Sequence, residues 1–144
     1  MIIGIGIDLV KSARIKDAVQ KWDKRFLNRI FTPIEQEYAY AHKVPYLHLA
    51  GRFAVKEAVM KALGTGWSGG VRWTEIGVVN EQAGQAVGHA DRPKGSAKGA
   101  GTGKPRVEVT GNVKQMMDVR GVKAIQVSIS HDTDYSIAQV VLIG

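Results

Sequence analysis

The segment GRFAVKEAVMKALGTG, residues 51–66, carries one carboxylate among several cations in an otherwise apolar stretch. Glu57 and Lys61 lie four residues apart, so a helix places them on one face. Arg52 and Lys56 form a like-charged pair at the same spacing, which is more easily tolerated if an anion lies between them. A surface ion pair on a packing helix explains Glu57 and Lys61 equally well, so the residues alone leave both interpretations open.

Two further residues end apolar segments. Asp8 follows IIGIGI, which predicts a buried strand over Ile2–Ile7. A carboxylate there is poorly solvated unless it caps a helix or binds a cation, and capping just before Ser12 is the commoner case. His131 follows the apolar VSIS. A histidine at this place can bind phosphate, transfer a proton or cap the turn HDTD.

Taken together, these residues indicate a metal-dependent phosphate site. Carboxylate oxygens such as those of Asp8 and Glu57 suit Mg²⁺, which is commonly held by one or two carboxylates and by substrate phosphates. Arg52, Lys56 and Lys61 suit a phosphate-bearing ligand. Chemistry of the phosphoryl-transfer type follows, in which metal and cations stabilise charge on phosphate oxygens. The other histidines show no metal-ligand spacing.

The elements that position these residues predict an α+β fold, because helices gather early and strands gather late around a first strand. The 144 residues fit one domain, 1–144. Residues 83–104 are rich in glycine, alanine and lysine without periodicity, which predicts a flexible insertion within that domain. The predicted helices begin at Ser12, with a break at Asp23, and cover 33–41, 47–64 and 111–120. The predicted strands after the first cover 73–80, 106–109, 124–130 and 136–143.

Composition narrows the function classes. The net charge of +7 favours a polyanionic partner. There are no cysteines, which excludes disulfides and thiolate metal sites. No apolar run is long enough to span a membrane, and MIIGIGIDLV lacks the features of a signal peptide, so a cytoplasmic location without membrane association is the expectation.

Four motifs resemble one known family. GIGIDLVKSARI, FTPIE, GRFAVKEAVMKALGTG and VSISH occur in the order found in the holo-[acyl-carrier-protein] synthases, which are small 4'-phosphopantetheinyl transferases. The resemblance implies helices packed on a mainly antiparallel sheet. It also implies transfer of the phosphopantetheine arm of coenzyme A to a serine of an acidic apo-acyl carrier protein, with release of adenosine 3',5'-bisphosphate. Residues 83–104 replace the compact link of the family before GKP.

The resemblance implies roles for the matching residues. Asp8 and Glu57 correspond to Mg²⁺ ligands, and Lys61 corresponds to the lysine at the reacting phosphate. Glu57 or a metal-bound water would remove the serine proton before in-line attack on the β-phosphate. The residues that match the coenzyme A site are Arg52, Lys56, Lys61, Gly64, Thr65, Gly66 and His131, with Pro105 near the adenine.

The resemblance also implies partners. Arg14 corresponds to an arginine that docks the acidic carrier protein. Lys21 and Arg25 lie on the same basic face, where docking and an ordinary solvated face are equally compatible with the sequence. A homotrimer with active sites shared between subunits is expected. A basic module that binds nucleic acid and an inactive coenzyme A binder are the alternatives; no recognised nucleic-acid motif supports the first, and nucleic acid is not the expected partner.

Overall fold

The structure is a computed structural model that describes residues 1–81 and 103–144. The predicted insertion at 83–104 therefore lies outside the described residues, except for Gly103 and Lys104. Five helices and five strands follow one another along the described chain. In order they are β1 (Ile2–Lys11), α1 (Ser12–Trp22), α2 (Lys24–Ile30), α3 (Pro33–Tyr40), α4 (Pro45–Leu63), β2 (Ile76–Asn80), β3 (Pro105–Val109), α5 (Gly111–Val119), β4 (Ala124–His131) and β5 (Tyr135–Ile143).

The strands form two antiparallel sheets. One sheet has the order β1-β5-β4, and β2 pairs with β3 in the other. Helix α4 packs against the three-stranded sheet and contacts β2. The predicted α+β class with helices on a mainly antiparallel sheet is confirmed.

Helix α4 is the centre of the packing. It is apolar on nearly all sides, and 13 of its residues are buried. Strand β1 crosses it closely because Gly4 and Gly6 have no side chains: a Cβ atom at Gly6 would lie 1.8 Å from the Ala58 carbonyl oxygen. This close approach brings the second half of β1, with Asp8, alongside the helix that carries Glu57 and Lys61.

Thr32 followed three residues later by Glu35 is the sequence pattern of a capping box, and this box fixes the start of helix α3. The Thr32 hydroxyl accepts a hydrogen bond from the Glu35 backbone N–H, and the Glu35 carboxylate accepts one from the Thr32 N–H. Proline in the first turn suits a helix start. The capping box also directs Glu35 into the protein interior, where it meets α4.

Three details of the prediction are wrong. Strand β1 is not buried on both faces: it extends to Lys11, and Ile5, Ile7 and Leu9 are more than half exposed on the face away from α4. The helical spacing of Ile15, Val19 and Trp22 predicts that Trp22 faces the core, but Trp22 is half exposed, because α1 ends there at the break formed by Asp23, whose φ is 45°. The strand predicted from Trp73 begins only at Ile76, since Trp73–Glu75 form a 3-10 turn.

No helix in the described ranges has the length and apolar character needed to cross a bilayer.

Candidate active site

Asp8 and Lys61 meet where β1 passes α4. The Lys61 ammonium donates to Asp8 Oδ1 at 2.8 Å and to the Ile7 carbonyl oxygen at 3.0 Å. The Asp8 side chain is 15% exposed and that of Lys61 is 55% exposed. The hydrogen bond to Asp8 raises the pKa of Lys61, so the ammonium stays charged at neutral pH. A carboxylate from the strand and a cation from the helix thus share one partly open position.

Glu57 joins this pair from the preceding turn of α4. Its negative charge also raises the pKa of Lys61, which indicates that both carboxylates act on the same ammonium. The Glu57 carboxylate is half-buried and forms no hydrogen bond or ion pair with any residue that the structure describes. Asp8 and Lys61 are thus in contact, and Glu57 lies close enough to act on the Lys61 charge.

The donor set suits Mg²⁺ better than a metal with many protein ligands. Within the ranges 1–81 and 103–144, no group of three or more histidine, aspartate or glutamate residues can hold a metal ion. Mg²⁺ needs only one or two carboxylates when substrate phosphates and water complete its shell. Asp8 and Glu57 fit that requirement, because the Glu57 oxygens have no partner among the residues that the structure describes and the Asp8 side chain is partly open.

Arg52 is a buried cation that is held by neighbouring elements. Its guanidinium lies 3.9 Å from the centre of the Tyr38 ring, and Nη2 donates to Asn80 Oδ1 at 2.7 Å. Burial lowers the pKa of Arg52, while Tyr38 and Glu35 oppose this shift. Its Nε is buried without a hydrogen-bond partner among the described residues. An unsatisfied buried N–H is costly, so this edge of the guanidinium is suited to an anionic ligand.

Lys56, which the resemblance places in the coenzyme A-binding segment, lies in the interior. Its ammonium donates to Glu35 Oε1 at 2.8 Å, to the Trp73 carbonyl at 3.1 Å and to the Ile76 carbonyl. These acceptors use all three N–H bonds of the ammonium. The anion expected between Arg52 and Lys56 is thus Glu35, supplied by the protein itself. The geometry gives Lys56 a packing role and leaves no donor for a phosphate.

His131 belongs to a cluster of rings that sequence spacing did not reveal. Its ring centre lies 6.0 Å from that of His48, which lies 4.1 Å from that of His42. Tyr38 contacts both His42 and His48. Burial lowers the pKa of His48 to about 4, with further lowering by His42, Arg52 and His131. His42 follows α3 and His48 lies in the first turn of α4, so only the tertiary fold brings them to His131 at the end of β4.

The turn after α4 contains Gly64, Thr65 and Gly66, which the resemblance places at the coenzyme A site. Gly64 and Gly66 adopt left-handed conformations with φ of 70° and 62°, which favour glycine. The Thr65 hydroxyl between them is buried without a hydrogen-bond partner in the described part of the chain. Thr65 also lines a cavity of about 400 Å³ together with residues of α5, including Asn112 and Met116. The turn therefore presents an unused hydroxyl beside open space.

The basic residues predicted for docking lie on α1 and α2. Arg14 lies over the ring of Phe53, 5.9 Å from its centre, and Lys21 lies over Trp22 at 5.0 Å. Arg25 is exposed at the start of α2. Arg14 is thus placed beside α4, close to the site, whereas Lys21 and Arg25 extend the basic face away from it.

Several known proteins are similar to this chain in sequence and in fold. A profile of the 4'-phosphopantetheinyl transferase superfamily matches residues 4–105. The holo-[acyl-carrier-protein] synthase of Trichlorobacter lovleyi is 39% identical over 142 residues, covering 99% of this chain and 98% of that protein.

Solved structures of two holo-[acyl-carrier-protein] synthases have a fold similar to that of this chain. The crystal structure of the Neisseria meningitidis synthase has a TM-score of 0.79 at 30% identity, with 100% of both chains covered. The Bacillus anthracis synthase, in complex with coenzyme A (3',5'-ADP), has a TM-score of 0.70 at 32% identity, covering 99% of this chain and 96% of that one. The chain therefore belongs to the holo-[acyl-carrier-protein] synthase family of the 4'-phosphopantetheinyl transferase superfamily.

Proposed function

We propose that this protein transfers the 4'-phosphopantetheine group of coenzyme A to a serine of an apo-acyl carrier protein. The observation that carries the proposal is the meeting of Asp8, Glu57 and Lys61 beside the close crossing of β1 and α4. Family membership and the coenzyme A complex of the Bacillus anthracis relative support the same substrate. We further propose that the reaction takes place in the cytoplasm.

The roles of the three residues follow from their surroundings. Asp8 and Glu57 would hold Mg²⁺, which supplies positive charge that stabilises negatively charged phosphate oxygens. Lys61 already uses two of its N–H bonds, to Asp8 and to the Ile7 carbonyl, and keeps a third for a phosphate oxygen. Its position is therefore fixed before substrate binds, which lowers the entropic cost of stabilising the transition state.

The chemical step is an in-line displacement at the β-phosphorus of coenzyme A. The serine oxygen forms a bond to this phosphorus while the bond to the bridging oxygen breaks, and adenosine 3',5'-bisphosphate leaves with the electron pair. We assign the serine proton to Glu57, whose carboxylate has no hydrogen-bond donor among the described residues. Lys61 stabilises the charge that builds up on the transferred phosphoryl group.

Arg52 and His131 would bind another phosphate of coenzyme A. Arg52 Nε, which has no partner in the ranges 1–81 and 103–144, offers a donor, and His131 is exposed at the end of β4. Gly64, Thr65 and Gly66 would bring backbone and the Thr65 hydroxyl, which has no partner in the described part of the chain, to the pantetheine side of the ligand. Lys56 lies in the interior, where it donates to Glu35 and to the backbone carbonyls of Trp73 and Ile76, and it has no donor left for the ligand.

The protein partner would be an acidic carrier protein docked on Arg14, Lys21 and Arg25. Charge complementarity of this kind speeds encounter and weakens as salt screens the charges. The net charge of +7 supports an acidic partner of this kind.

We also propose a homotrimer with active sites shared between subunits. The exposed face of β1 carries Ile5, Ile7 and Leu9, and its register places Val141 and Ile137 of β5 beside Ile5 and Leu9. An exposed apolar patch of this kind marks an interface. Leu9 and His131 line one cavity of about 230 Å³, so a second copy on this face would lie next to His131.

The trimer is tested by light scattering after size exclusion. Ile7→Glu should give a monomer and reduce turnover. Ile34→Glu should leave the assembly intact, because Ile34 is exposed to a similar extent on α3, away from this face. A wild-type monomer with full activity would refute the trimer.

The transfer itself is tested by intact-mass spectrometry of apo-acyl carrier protein incubated with this protein, coenzyme A and Mg²⁺. A mass gain of one phosphopantetheine group is expected, and it should disappear with EDTA, with Asp8→Ala and with Glu57→Gln. Retained turnover in Glu57→Gln would remove the glutamate from the mechanism. If no carrier protein gains mass while coenzyme A and Mg²⁺ raise the melting temperature, the protein is an inactive binder; a rise with an oligonucleotide instead would indicate a nucleic-acid module.

A further inference from the structure

A second pocket lies outside the site of Asp8, Glu57 and Lys61. It is formed between α2 and the segment that connects α4 to β2, and its volume is about 470 Å³. We call it the Trp67 pocket, and the residues that define its chemistry are Asn28, Arg29, Trp67, Arg72, Trp73 and Thr74.

The Trp67 pocket offers hydrogen-bond donors without a matching anion. Arg29 and Arg72 both line it, and neither guanidinium forms an ion pair with a carboxylate in the described ranges. The indole Nε1 of Trp67 is buried and has no hydrogen-bond partner among the described residues. Indole and guanidinium groups donate hydrogen bonds and cannot accept them. Such a lining suits a carboxylate, because Arg binds planar carboxylates through paired hydrogen bonds.

Stacked aromatic rings connect the Trp67 pocket to the predicted docking surface. The rings of Trp67 and Trp73 lie 3.6 Å apart, centre to centre, and Trp73 lies 4.9 Å from Phe53. The opposite end of this stack meets Arg14, which lies over Phe53. A rigid aromatic row therefore runs from the docking arginine to the pocket.

The basic face on α2 leads to the same place. Arg25 and Arg29 are four residues apart in one helix, so both lie on one face of α2. The docking face of Arg14, Lys21 and Arg25 thus continues into the Trp67 pocket through Arg29. Both routes make a carrier protein bound on α1 and α2 the neighbour of this pocket.

We propose that the Trp67 pocket binds an acidic side chain of the carrier protein and forms a second anchoring point for it, in addition to Arg14. Arg29 and Arg72 pair with the carboxylate, and the Trp67 ring lines the pocket beside them. The proposal rests on the proposed transfer reaction for the identity of the partner. Its effect falls on carrier-protein binding and leaves the chemistry at Asp8, Glu57 and Lys61 unchanged.

Steady-state kinetics test the pocket with Arg29→Gln and Arg72→Gln. Each variant should raise the KM for the carrier protein about fivefold or more, because a paired charge is lost from the interface. The kcat at saturating carrier protein and the KM for coenzyme A should stay the same. Lys123→Gln is the matched control: Lys123 is exposed just before β4, outside the Trp67 pocket, and carries the same charge as the two arginines. Equal KM values for the carrier protein in all four proteins would overturn the proposal, as would a rise in the KM for coenzyme A alone.

Tryptophan fluorescence tests the same point without turnover. The chain has three tryptophans, and Trp22→Phe leaves only Trp67 and Trp73, which both line the pocket. A carrier protein whose acceptor serine is replaced by alanine should shift the emission of this variant, and Arg72→Gln should weaken the titration. A shift that is unchanged by Arg72→Gln and Arg29→Gln contradicts the pocket. If the wild type shows no transfer yet gives an arginine-dependent shift, the transfer proposal fails and the pocket stands.

Discussion

Lys56 Nζ lies 2.8 Å from Glu35 Oε1, and both side chains are completely shielded from solvent. The other Glu35 oxygen accepts the Val78 backbone N–H at 2.9 Å, so the pair joins α3, α4 and β2. Burial lowers the pKa of Lys56, and the Glu35 charge opposes this shift. A cation that sequence alone assigns to ligand binding is thus part of the connection between three elements.

Lys56→Met should lower the free energy of unfolding by about 3–5 kcal/mol, because it leaves the Glu35 carboxylate buried without its cation. Urea denaturation followed by circular dichroism measures the loss. Lys114→Met is the control: it removes an exposed i,i+4 pair with Asp118 and should cost only about 0.3–0.5 kcal/mol. The KM for coenzyme A should be unchanged in folded Lys56→Met. A large rise in this KM would show that Lys56 takes part in coenzyme A binding.

Gly6→Ala should prevent normal packing of β1 on α4. The added Cβ atom would lie 1.8 Å from the Ala58 carbonyl oxygen, and backbone cannot rotate away as a side chain can. We expect a loss at or above the upper end of the roughly 1–3 kcal/mol typical of overpacking, measured as the shift in the urea midpoint. Gly77→Ala serves as the control, since its Cβ would meet the nearest atom at an ordinary 3.7 Å. Similar midpoints for both variants would show that β1 can move away from the helix.

Lys61→Met should strengthen Mg²⁺ binding in the absence of coenzyme A while it reduces turnover. The Lys61 ammonium lies 2.8 Å from Asp8 Oδ1 and competes with a metal ion for this carboxylate. Removal of this neighbouring positive charge should make the binding free energy of Mg²⁺ more favourable by about 1 kcal/mol in a water-like medium, which is roughly a fivefold higher affinity. Titration calorimetry with Mg²⁺ alone measures the change, and Lys61→Arg keeps the charge as a control. Weaker Mg²⁺ binding in Lys61→Met would show that Asp8 is not a ligand.

Stability should fall as the pH drops from about 6.5 to 4, in part because of His48. Its pKa is about 4 in the folded protein, against a usual value near 6.5, so the unfolded chain binds more protons in this window. Below about pH 4 both states are protonated and this contribution stops changing. Around His48, the titratable and charged groups are Tyr38, His42, Arg52 and His131.

His48→Gln removes the titrating ring from this cluster. Its melting temperature should therefore fall less than that of the wild type between pH 6.5 and 4.5. Parallel curves for the two proteins would assign the acid sensitivity to other groups.

Much of this site follows from local sequence. Glu57 and Lys61 share a helical face by spacing alone, and the capping box of Thr32 and Glu35 is local chemistry that tertiary packing did not override. Asp8 was placed after an apolar run for the same reason, but it lies within β1, which continues to Lys11, and not at the end of the strand. Its meeting with Lys61 needed the glycine crossing of β1 and α4, which local patterns do not encode.

The missed features depend on contacts between distant segments. Lys56 and Lys61 both lie among apolar residues of one helix. Glu35 of α3 pairs with Lys56 in the interior, whereas Lys61 is open to solvent. His42, His48 and His131 have no regular spacing, so their cluster exists only in the folded chain. Trp73 was taken for the first residue of a strand, and its stacking with Trp67 could not be read from the sequence.

The pairing of β2 with β3 also has a practical use. Asn80 pairs with Pro105, the Glu81 N–H donates to the Lys104 carbonyl at 3.0 Å, and the Asn80 amide donates to the Gly103 carbonyl at 2.8 Å. The two described residues that flank 82–102, Glu81 and Gly103, are therefore held close together by hydrogen bonds within the domain. Each doubling of the length between such fixed ends costs only about 0.6 kcal/mol in closure entropy. Between these two strands, a protein engineer can insert a reporter or affinity peptide of varied length with little expected effect on the core.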